Sequence, residues 1–139
     1  MSDSDEESLA ETFWAVARRL RHQAKRTLEP WEINPGHARA LAVLMRHGPM
    51  RLSALADHLH IAPRSTTEVV DGLEERGLVE RQADPADRRA TLVAPTDEGR
   101  RIGEAIRVAR AAEADRFFGS LSEDDRAELG RILRRLRDD

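Results

Sequence analysis

Arg64, Ser65, Thr67 and Glu68 stand together at the start of a helical pattern, where their groups can donate and accept hydrogen bonds along one polar surface. Hydroxyls bond base edges or phosphates and an arginine can take guanine at two points, so the cluster suits the major groove of a duplex. A second charged group, Asp84, Asp87, Arg88 and Arg89, surrounds Pro85 and Ala86 after an intervening apolar stretch. Catalysis has no comparable footing. His58 and His60 are two apart, and His22, His37 and His47 form no chelating i, i+4 pair, so no metal site is expected. No glycine-rich phosphate loop, nucleophile elbow or isolated carboxylate pair is present, and neither an enzyme nor a cofactor is expected. The chain has no cysteine, which excludes disulfides, thiol redox sensing and cysteine-ligated zinc.

The elements that must position these groups follow from spacing. Leu52, Leu55, Ala56 and Leu59 recur at helical period, with Ser53 expected to cap the first turn. His60, Ile61 and Ala62 leave room only for a tight turn, and Pro63 suits the first position of a second helix. There Thr66, Val69, Val70 and Leu73 face a core, leaving Arg64, Ser65, Thr67, Glu68, Asp71 and Gly72 outside. Gly77 is expected to end it as a left-handed cap. Leu78 to Gln82 and Arg89 to Ala94 read as two strands around a charged loop from Asp84 to Arg88. Helix, turn, helix and hairpin fit a winged helix-turn-helix, and on pattern alone they also fit any small helical domain carrying a hairpin.

The run TTEVVDGLEERGLVER followed by DPADRRATLVAPTDEGR resembles the multiple antibiotic resistance regulator (MarR) family of dimeric winged-helix transcription factors. The likeness is dense from Ile33 to Arg101 and most specific in LEERGLVER and DPADRR. It implies a mostly α fold with a small β-hairpin wing, an α+β arrangement flanked by N- and C-terminal dimerisation helices. It also implies that Asp87 and Arg89 pair and that Arg89 enters the minor groove, where a narrow A·T-rich stretch favours a guanidinium. Arg88 is then expected on phosphate, with Arg51 and Ser53 as weaker phosphate candidates. Glu68 and Gly72 depart from the family pattern. Glu68 either accepts from a cytosine amino group or pairs with Arg64 at i−4. The resemblance further implies a cleft for small aromatic acids or phenols beside the first helix, the start of the second and the fifth. There Trp14 could stack on a ring and His37 could meet a carboxylate; both also fit plain roles, Trp14 in packing and His37 in capping.

At 139 residues one structural domain is expected. Within it, 1–30 is read as an acidic tail plus first dimerisation helix, 31–95 as the DNA-binding region, and 96–139 as two further dimerisation helices. Leu9, Phe13, Val16, Leu20 and Ala24 form one stripe of the first helix, opposite a basic cluster of Arg18, Arg19, Arg21, Lys25 and Arg26. That cluster reads as a solvated face, or as contacts to phosphate or partner acids. Ala38, Leu41, Ala42, Leu44 and Met45 mark the next helix, which stops at His47-Gly48-Pro49. After the wing, Thr96 opens a long helix to Phe117-Phe118. Ser122 then caps a last one bearing Leu129, Ile132, Leu133 and Leu136. These stripes need a partner, so first, fifth and sixth helices are expected to interleave in a homodimer that reads a pseudo-palindromic duplex operator.

Net charge is −3, and Pro63 to Pro95 holds five arginines against seven acids. Few phosphate contacts and weak binding to random duplex follow. No aromatic lies between Trp31 and Phe117, so a base-stacking platform for single strands is absent and duplex DNA is the better partner. No apolar run reaches membrane length, and the acidic start is unlike a signal peptide, which makes the cytoplasm the expected compartment. The expected role is a repressor relieved by a small effector. The alternative is a winged-helix protein-protein module whose acids, such as Glu68, have weakened DNA binding.

Overall fold

A computed structural model describes residues 7–139. The acidic tail read over residues 1–8 therefore lies almost wholly outside the described residues; Ser8 caps the first helix by accepting from the Glu11 N–H at 3.1 Å. That helix, α1, spans Leu9–Thr27 and is followed by a 3-10 turn, Glu29–Trp31. Asn34 then caps α2, Pro35–His47, through its side chain, and Pro35 occupies a first-turn position where no amide hydrogen is required. The remaining order is β1 Met50–Arg51, α3 Leu52–Leu59, α4 Pro63–Glu75, β2 Val79–Asp84, β3 Asp87–Pro95, α5 Asp97–Phe117 and α6 Glu123–Asp138.

Helices α2, α3 and α4 close around one core with the sheet. Leu41 and Leu44 from α2, Leu55 and Leu59 from α3, and Val70 and Leu73 from α4 are buried together with Val93 of β3. Burying one such leucine or valine contributes about 1.5–3 kcal/mol, so the amphipathic stripes suffice to orient all three helices. His60 takes a left-handed conformation at φ 55°, which turns the chain sharply between α3 and α4. Gly77, at φ 73°, ends α4 as expected. The Leu78 N–H reaches back to the Leu73 carbonyl at 2.9 Å and the Gly77 N–H to the Glu74 carbonyl at 2.9 Å, the paired closure of a Schellman motif.

Three sequence expectations change. The sheet has three antiparallel strands in the order β1-β3-β2, because Met50 and Arg51 pair with Val93 and Leu92. Two residues give too little pattern to be read as a strand. The hairpin loop is also shorter than Asp84 to Arg88: strand pairing continues until Asp84 faces Asp87, leaving Pro85 and Ala86 at the tip. A bulge between Ala83 and Asp84 breaks the alternation by which a strand is recognised. Finally, Ser53 caps nothing. Arg51 occupies the N-cap position of α3, and no side chain supplies a cap there.

Helix α5 packs on α2 and α1, and after Gly119 and Ser120 the start of α6 meets the end of α5 where Arg126 donates to Asp115 at 3.4 Å. Ser122 accepts from the Asp125 N–H at 3.1 Å, as expected of a cap. No helix among the described residues is long and apolar enough to cross a membrane.

Candidate nucleic-acid interface

Helix α4 buries Thr66, Val70 and Leu73, and the opposite stripe at i, i+4, i+7 and i+11 is Arg64, Glu68, Asp71 and Glu75. Arg64, Ser65, Thr67 and Glu68 are all exposed, so the structure brings the predicted reading group onto one open surface. Thr67 donates its hydroxyl to the Pro63 carbonyl at 3.1 Å and stays exposed, so its oxygen can still accept a hydrogen bond. Ala62 at the N-cap offers no side-chain bond to the first-turn amides, which leaves them for water or an anion. Glu68 carries no ion pair among the described residues, and the pairing with Arg64 is not formed.

The acids farther along α4 are treated differently. Arg81 on β2 meets Asp71 at 2.6 Å and also contacts Glu74, so one guanidinium is shared between two carboxylates on the flank of the helix and offsets half of their charge. The Asp71 hydrogen bond, more than the nearby charges, raises the Arg81 pKa and keeps it cationic.

In the wing, Arg51 Nε and Nη2 donate to Asp84 Oδ2 at 3.1 and 2.9 Å. The other Asp84 oxygen accepts from the Ala86 N–H at 2.9 Å, an Asx turn around Pro85. This backbone bond, followed by the Arg51 bond, holds the Asp84 carboxyl below its ordinary range. Arg51, read as a phosphate candidate, is thus occupied in tying β1 to the hairpin, and Ser53 is exposed without a partner role. Asp87 accepts from the Arg89 N–H at 3.1 Å and lies 3.5 Å from Arg89 Nε. The Arg89 side chain is 94% exposed, so Asp87 restrains its base while its guanidinium projects from the wing. Arg88 is exposed beside it.

A second site lies between α1, α2 and α5. Half-buried Arg110 borders two adjoining clefts, one of about 230 Å³ against α1 and one of about 180 Å³ against α2. Its Nε is buried without a hydrogen-bond partner among the described residues, as is Oε1 of Gln23 in the α1 cleft, and burial lowers the Arg110 pKa. Neither Trp14 nor His37 is among the lining residues. Trp14 is exposed and meets Phe13 edge to face at 5.9 Å, while the His37 ring turns toward α4. Sequence reading missed Arg110, although its place four residues after Ile106 continues the Ile102 and Ile106 stripe and was a usable signal.

A reading helix with an open N-terminal half beside a wing that projects an arginine is the geometry of a winged DNA reader, and known proteins agree. The model of the MarR family matches residues 33–91. The transcriptional regulator MhqR of Bacillus subtilis is 34% identical over 104 residues, covering 75% of this chain and 72% of the relative. This chain belongs to the MarR family. The repressor MdtR of Bacillus subtilis is 26% identical over 122 residues, with 88% of this chain and 79% of the relative covered. A MarR family structure from Bacillus stearothermophilus superposes with TM-score 0.84 at 25% identity, covering 99% of this chain and 96% of that one. As a MarR family member the protein is a DNA-binding transcriptional regulator and not an enzyme.

Proposed function

We propose that the protein is a homodimeric repressor that occupies a pseudo-palindromic duplex operator and leaves it when a small aromatic acid fills the Arg110 cleft. The observation that carries DNA reading is the wing: Arg89 is anchored at its base by Asp87 and otherwise open to solvent, as a minor-groove arginine must be. Arg64, Ser65, Thr67 and Glu68 then face the major groove, and Arg88 lies toward phosphate. Dimerisation is supported by apolar side chains that the single chain leaves uncovered: Leu9, Phe13 and Val16 on α1, and Ile132, Leu133 and Leu136 on α6, with Leu9 88% and Leu136 64% exposed.

For the effector, the two polar side chains of the α1 cleft supply the logic. The Arg110 guanidinium can turn to meet a carboxylate and the Gln23 amide to meet a hydroxyl, so a hydroxyl-bearing aromatic acid would give both under-satisfied groups a partner. This replaces the recognition role first given to Trp14 and His37.

The test is fluorescence anisotropy on a labelled duplex covering the gene's own upstream region, with random duplex and Arg89→Ala as controls. Selective binding that Arg89→Ala abolishes, with sedimentation still reporting a dimer, is the expected result. Selective binding that survives the substitution would remove the wing from the reading. A dimer with no selective binding anywhere in the genome would favour a protein-protein module.

A further inference from the structure

Gly72 interrupts α4 where a helix former would be more stable by about 1 kcal/mol. The reason is on the neighbouring helix. A Cβ placed on Gly72 would lie 2.5 Å from Cε1 of His37 and 3.4 Å from both of its ring nitrogens, so the imidazole edge fills the space a side chain would need. The backbone that carries the ring is fixed, since the main-chain N–H of His37 donates to Asn34 Oδ1 at 2.8 Å in the first turn of α2. One turn beyond the notch, Arg76 donates to the carbonyls of Trp31 and Glu32 at 2.7 and 2.9 Å, fastening the end of α4 to the segment that leads into α2.

Gly72 lies one turn after Glu68 and two turns after Arg64 along the helix. A ring seated in this notch, with the Arg76 tether beyond it, limits rotation of α4 about its axis and so fixes the direction in which Arg64 and Glu68 project. The next residue after His37, Ala38, lines the α2 cleft, which adjoins the α1 cleft through their shared residue Arg110. Displacing that wall moves the first turn of α2 and with it the ring in the notch.

We propose that His37 is a positioning residue for operator reading: its ring, keyed into the Gly72 notch, sets the rotation of α4 and passes movement of the cleft wall to it. This rests on the reading of α4 as the DNA-reading helix. His37 touches no base; it acts through Gly72.

The experiment uses the full chain, with anisotropy on operator and on random duplex and thermal unfolding alongside, for Gly72→Ala, His37→Ala and the double variant. Gly72→Ala is expected to weaken operator binding roughly tenfold, since the added methyl must drive the ring out of the notch or displace the helix. The double variant, in which the added methyl takes up part of the space the ring leaves, is expected to recover part of that loss, and random-duplex binding is expected to stay level throughout. Operator binding by Gly72→Ala equal to the parent, or a double variant no better than Gly72→Ala, would overturn the proposal. If Gly72→Ala does not fold, His37→Ala decides: a lower ratio of operator to random binding in a folded protein supports the role, and an unchanged ratio overturns it. Failure of the parent protein to select any operator would instead bring down the DNA reading itself.

Discussion

Two titrating side chains respond to pH for opposite reasons. Burial first, and the Arg76 charge second, lower the His37 pKa, so the folded protein resists a proton that the unfolded chain accepts below about 6.5. Stability is therefore expected to decline as pH falls from about 6.5 toward the lowered value, and His37→Gln should flatten that part of a thermal-unfolding pH profile. Asp84 has a depressed carboxyl pKa, so its contribution is present above the unfolded value of about 3.9 and lost as pH falls through the folded one. Asp84→Asn should remove that acid-side loss, measurable as a smaller drop in Tm below pH 4. The two roles differed in how openly the sequence announced them. Asp84 sits in a D-P-A-D turn whose Asx geometry could have been read, whereas the His37 contact joins residues far apart in the chain and leaves no periodic trace.

Helix α4 has a buried face set by Thr66, Val70 and Leu73 and a flank whose acids are covered from the sheet by Arg81. Leu73 is fully buried in the common core, so Leu73→Ala is expected to cost about 2–5 kcal/mol of unfolding free energy, read by denaturant titration. Arg81→Ala should leave Asp71 and Glu74 uncompensated near the phosphates and weaken binding to operator and random duplex alike. Adding Asp71→Asn and Glu74→Gln should restore it, which a loss from misfolding would not permit. The helices, their order and the turn at His60 were legible because a stripe of period 3.6 survives in sequence. The strand at Met50 was not, since a two-residue strand is defined only by its partner, Val93 and Leu92. Cross-element pairs such as Arg81 with Asp71 and Arg51 with Asp84 likewise exist only once the sheet is closed.

Across the described residues, exposed apolar side chains gather on α1 and α6, the two long helices that bury no side chain fully. Replacing Leu133 and Leu136 by aspartate is expected to yield a monomer in sedimentation velocity and to abolish operator binding, because two half-sites can then no longer be held together. Local periodicity and turn chemistry, which act over a few residues, were enough to place the helices, the hairpin and the polar face from Arg64 to Glu68, while the Asp87–Arg89 pairing was implied by the family resemblance. Only the tertiary structure decided that Arg51 serves the wing, that Arg110 and not Trp14 or His37 borders the cleft, and that Gly72 receives the His37 ring. Each of these depends on which side chains meet across elements far apart in sequence, and helix packing in three dimensions settles that where spacing along one chain cannot.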